Sequence, residues 1–89
     1  MKAIITVLGQ DRVGIIASVS NLLAQNNINI LDITQTTMQN VFTMIMHVDL
    51  EGSDASILEM SEKLSTLGKE ICLEIRIQHE GIFNAMHRM

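Results

Sequence analysis

Residues 41–50 alternate without a break. Phe42, Met44, Met46, Val48 and Leu50 fall on one phase, and Val41, Thr43, Ile45, His47 and Asp49 on the other. Successive strand residues point to opposite faces, so the first set must face a core and the second must not. Whatever this chain folds into must therefore hold a sheet covered on one side.

Three more strands can be read beside it. Residues 2–8 carry apolar side chains on both phases, which suits a central strand. Residues 28–38 change phase near Ile30-Leu31, as a bulge would make them do. Their polar end, Thr34 to Thr37, suits a sheet edge. Gln39-Asn40 is a tight hairpin turn into residues 41–50. Residues 70–79 put Ile71, Leu73, Ile75 and Ile77 inward, with Cys72, Glu74, Arg76 and Gln78 outward.

Two segments have helical spacing instead. In residues 12–25, Ile15, Ile16, Val19, Leu22 and Leu23 form one stripe. Asp11 is the expected N-cap and Asn26-Asn27 the expected end. A second helix starts at a cap on Ser53 or Asp54. It carries Ile57, Met60, Leu64 and Leu67, pairs Glu59 with Lys63, and stops at Gly68. The order is β-α-β-β-α-β. Right-handed crossovers interleave two such halves into an α+β ferredoxin-like sandwich. Its four-stranded antiparallel sheet has order 4-1-3-2, with both helices on one face.

Eighty-nine residues hold one domain. A chain this short buries only roughly 60–65% of its unfolded surface. With 47% hydrophobic residues, some of the apolar surface is expected to cover an interface. A net charge of −4, without a basic cluster, argues against a nucleic-acid partner. No apolar run is long enough to span a membrane. Met1-Lys2-Ala3 runs straight into a strand rather than a signal peptide. The single cysteine, Cys72, fits a reducing compartment, and the expected location is cytoplasmic. The unit is placed at 1–79. The tail, 80–89, is expected to form a short helix, through Ile82, Phe83 and Met86, that docks on the domain or on a dimer partner.

Little chemistry stands out. His47, His79 and His87 have no metal-ligand spacing, and Cys72 and the serines lack a nucleophile's surroundings, so no cofactor, metal or catalytic residue is assigned. An acyl-phosphate hydrolase site built on Arg12 with Asn29 or Asn40 lacks the phosphate-cradling loop. The open sheet face mixes Ile4, Thr6, Thr43, Ile45 and His47 with Glu74 and Arg76. It is too apolar for a simply solvated surface and too polar for a core, which suggests a partner surface. The remaining feature is Gly9-Gln10-Asp11-Arg12-Val13-Gly14, at a strand-to-helix junction. Unpaired N–H groups at a helix start suit a carboxylate. The alternative is structural: Gly9 turns the chain, Asp11 caps the helix, and Gly14 lets helix and sheet pack closely.

Asp11-Arg12-Val13-Gly14-Ile15-Ile16, followed by Asn27-Ile28-Asn29-Ile30, resembles the ACT domain signature over about residues 2–79. The likeness is to stand-alone ACT proteins and to ACT domains of the glycine-cleavage repressor type. The resemblance implies a non-enzymatic, homodimeric regulatory module that binds a small molecule, expected to be an amino acid. Its site would lie between the loop of one subunit and strand two of the other. The site residues it implies are Asp11, Arg12, Val13, Gly14, Ile15 and Asn29. A larger regulated protein is a further possible partner. Serine-binding members carry His where Gly9 stands and Pro where Val13 stands, so the ligand's identity stays open. The second reading is an assembly module with no ligand.

Overall fold

The structure is a computed structural model that describes residues 1–81. The expected tail contacts of Ile82, Phe83 and Met86 lie outside the described residues. Four strands, β1 (Lys2–Gln10), β2 (Asn29–Met38), β3 (Val41–Asp49) and β4 (Leu73–His79), form one antiparallel sheet of order β2-β3-β1-β4. Read from the other edge, this is the expected 4-1-3-2. Two helices, α1 (Ile15–Gln25) and α2 (Ile57–Ile71), complete the ferredoxin-like architecture.

The alternation in β3 sets the layers. Phe42, Met44, Met46, Val48 and Leu50 are all buried, beside Ala3, Ile5 and Val7 of the central strand. Val19 and Leu23 of α1, Met60 and Leu64 of α2, and Leu73, Ile75 and Ile77 of β4 close the core. The register of β2 on β3 slips between Ile30 and Asp32, leaving Leu31 as the extra residue of a bulge. Ile28, Ile30 and Ile33 thereby share the core phase despite their uneven spacing. Gln39 and Asn40 both take positive φ, 50° and 69°, which is what a two-residue turn between right-twisted strands requires.

The helix ends differ from the expectation. Helix α1 begins at Ile15, and its N-cap is Gly14, without a side-chain hydrogen bond; Asp11 is not the cap. Helix α2 is capped by Ser56, not by Ser53 or Asp54. Ser56 Oγ accepts from Glu59 N at 3.1 Å, and the Glu59 carboxylate accepts in return from Ser56 N, a capping box. Glu59 is thus committed to the cap. Lys63 donates to Asn26 Oδ1 at 2.7 Å, so the expected Glu59–Lys63 pair is not the contact either makes.

Gly68 does not stop α2. The helix runs on to Ile71 and ends at Cys72, which is left-handed with φ 58°. Gly68 is buried against β4, where an added Cβ would sit 2.5 Å from the Leu73 carbonyl oxygen. Its role is close approach, and β4 accordingly starts three residues later than the alternation alone indicates. Gly9 likewise makes no turn. It lies within β1, paired with Phe42 and Leu73.

Candidate functional site

The loop between β1 and α1 is fixed at two points. Asp11 N donates to the carbonyl of Asn40 at 2.9 Å, joining the loop to the tip of the β2–β3 hairpin. Arg12 Nη1 donates to the carbonyl of Ile71 at 3.2 Å, at the end of α2. A cation there suits the negative end of that helix's dipole. Between these anchors the Val13 side chain stands 100% exposed.

Gly14 then adopts φ 92°, a conformation that L side chains rarely take, and its carbonyl accepts from Ser18 N at 2.9 Å. Among the described residues, its two chain neighbours aside, nothing lies within 4 Å of where its Cβ would be. The close helix–sheet packing expected of Gly14 is therefore not its role; the backbone conformation is. The open space beside it is bounded by the start of α1.

That helix start carries neither a side-chain cap nor an acidic residue in its first turn. The first N–H groups of any α-helix lack intrahelical partners and carry the positive end of the dipole. Here they border an open depression of about 670 Å³ lined by Asp11, Arg12, Gly14, Ile15, Ile16, Ala17, Ser20, Gln35, Thr37 and Phe42. The lining is mainly apolar, with the polar groups of Asp11, Ser20, Gln35 and Thr37 around it. A smaller cavity of about 70 Å³, between Arg12, Gly14, Ser18 and Ile71, lies behind the loop.

Of the six site residues expected from sequence, Asp11, Arg12, Gly14 and Ile15 border the depression, and Val13 borders the smaller cavity. Asn29 does not join them. It pairs with Asp49, at the far end of β2 from Thr37, roughly 26 Å away at about 3.3 Å per residue. Sequence reasoning missed Ser20, Gln35, Thr37 and Phe42. Ile16 and Ser20, four apart on α1, lie on one helix side, and Gln35 and Thr37, two apart on β2, share one sheet face. Those spacings were visible; that the two lines meet at this depression was not. Among the described residues no three His, Cys, Asp or Glu side chains cluster as a metal site. No helix among them is long and apolar enough to cross a membrane.

Fold and loop together define a small βαββαβ module whose one uncapped helix start opens on a surface depression. Its place among known proteins follows. The sequence model for the ACT domain matches residues 2–78, and the chain belongs to the ACT domain family. ACT domains are in general small-molecule regulatory domains. A UPF0237 protein of Clostridium acetobutylicum is 56% identical over 89 residues, covering 100% of both chains. An ACT domain protein from Streptococcus pneumoniae superposes with a TM-score of 0.83 at 38% identity, covering 98% of each chain. A protein described as a glycine cleavage system transcriptional repressor matches with a TM-score of 0.75 at 30% identity. That match covers 86% of this chain and 44% of the other.

Proposed function

We propose that this chain is a non-enzymatic, cytoplasmic sensor that works as a homodimer and binds a free amino acid at the β1–α1 loop. The observation that carries the reading is the uncapped start of α1, beside a glycine held at φ 92° with open space around it. The α-carboxylate would be held by the backbone N–H groups at Gly14 to Ile16. The ammonium group would be held by the Asp11 carboxylate. The amino acid's side chain would meet Ile16, Ala17 and Phe42.

Asn29 enters only from a second copy. Among the described residues no strand pairs with the outer edge of β2, and every residue from Leu31 to Met38 is exposed. Antiparallel pairing of two β2 edges would bring Asn29 of the second copy toward the Met38 end. That end adjoins the hairpin whose Asn40 holds Asp11. An amino acid bound there favours the paired state by its difference in affinity for the two states, and that difference is the regulatory signal.

Calorimetric titration of the full chain with the common amino acids tests this. At least one should give heat and raise the melting temperature, and Asp11→Ala should weaken it tenfold or more, the usual worth of a charge-assisted contact. Asn29→Ala should weaken binding only in the dimer, as followed by light scattering. If none of the amino acids gives heat or a thermal shift, the sensor reading fails and the assembly-module reading replaces it.

A further inference from the structure

The sheet face away from the helices holds a continuous apolar strip that nothing among the described residues covers. Ile4 and Thr6 are half-buried at its centre, next to Leu8 at 42% exposure and Ile45 at 38%. Register places these side chains together: Thr6 faces Ile45 on one side and Arg76 on the other, and Leu8 lies between Thr43 and Glu74. Val41, 49% exposed, extends the strip toward the hairpin.

A side chain from the end of β4 reaches onto this face. Gly81 N donates to His79 Nδ1 at 3.0 Å, which closes a tight local turn. The Glu80 carboxylate contacts the His47 ring. His47 belongs to β3, and β1 separates β3 from β4. The Glu80 side chain therefore reaches back over β1 on the open side. Ile45 lies two residues from His47 along the same face of β3, roughly 7 Å.

We propose that this apolar strip is the seat of the chain's own residues 82–89. The segment begins at the corner of the face, immediately after the Glu80–His47 contact. It carries Ile82, Phe83, Met86 and Met89. Eight residues reach about 12 Å at helical rise and about 26 Å when extended, against about 10 Å from β4 across β1 to β3, the width of the strip. Either reach spans it. Covalent attachment gives the segment an effective concentration on the order of millimolar at the face, which a second copy matches only at high protein concentration. With the strip covered by its own tail, the β2 edge is left as the surface for pairing between copies.

The test is nuclear magnetic resonance on the full chain, with labelled and unlabelled chains mixed to separate contacts within a chain from contacts between chains. Phe83 ring protons should show contacts with the Ile45 and Leu8 methyl groups within one chain. A chain ending at Gly81 should shift the Ile4, Thr6 and Ile45 signals, leave those of Met60 and Leu64 in place, and bind an apolar dye several-fold more strongly. Phe83→Ala should give an intermediate rise in dye binding with unchanged circular dichroism. Contacts found only between chains would mean that a second copy covers the face, and would overturn the proposal. So would signals of Ile4, Thr6 and Ile45 that ignore the truncation.

Discussion

The Arg12 guanidinium donates to the carbonyl oxygen of Ile71, fifty-nine residues away, at 3.2 Å. This one bond ties the loop before α1 to the last turn of α2, and both ends are sequence-local features that no strand pairing joins. Arg12→Ala should cost about 0.5–1.5 kcal/mol, the usual net worth of such a bond, near the low end because the site is exposed. The sharper readout is amide exchange, which should quicken at Val13 and Gly14 while the β3 core amides stay protected. Equal rates in both proteins would mean that the bond does not hold the loop.

Gly14 should be sensitive for a conformational reason alone. Its φ of 92° strains any L side chain, yet among the described residues, Val13 and Ile15 aside, nothing lies within 4 Å of its Cβ position. Gly14→Ala should lower stability by about 1–2 kcal/mol. Gly14→Asn, although larger, should lose less, because Asn tolerates positive φ. A thermal melt of the two variants decides. If Asn is worse than Ala, bulk rather than backbone conformation is limiting.

Gly68→Ala separates two uses of one residue type. At an exposed helix stop the change would be mild, and in a helix interior Ala gains about 1 kcal/mol in propensity. Here the new methyl would sit 2.5 Å from the Leu73 carbonyl oxygen, so α2 and β4 must part. The expected net result is a loss of about 1–3 kcal/mol by chemical denaturation. A neutral or stabilising outcome would contradict the close α2–β4 contact.

Asp49 should give the fold part of its acid sensitivity. The Glu51 N–H, donating to Asp49 Oδ1 at 3.0 Å, pulls its carboxyl below the ordinary 3.8, and the Met1 ammonium at 3.6 Å assists. A carboxyl with a lowered folded-state pKa contributes stability that is present above 3.8 and is lost as pH falls through the folded value. The wild-type melting temperature should exceed that of Asp49→Asn at pH 6, with the gap closing as pH falls below 3.8 and through the lowered folded-state value. A gap independent of pH would show that the charge is not what matters.

The strands were legible because alternation is a local signal: the phases of β3, the slip at Leu31 and the Gln39-Asn40 turn each follow from a few adjacent residues. Helix ends were less so. Ser53, Asp54 and Ser56 are all competent caps, and only Ser56 has a Glu three residues on to complete the box. Gly68 was misread because a glycine that ends a helix and one that lets a strand approach look alike in sequence. At the site, Asp11 to Ile15 could be read from the loop pattern. Ser20, Gln35, Thr37 and Phe42 could not, since they meet only where the start of α1 and the hairpin end of β2 and β3 border one depression.

The hydrogen bond from Asp11 N to Asn40 O has a practical use. It makes one amide proton the joint between the candidate binding loop and the tip of the free edge strand. The chain thus carries its own probe. The chemical shift and exchange rate of that single proton report, without label or dye, whether an event at the loop is felt at the edge where two copies would meet.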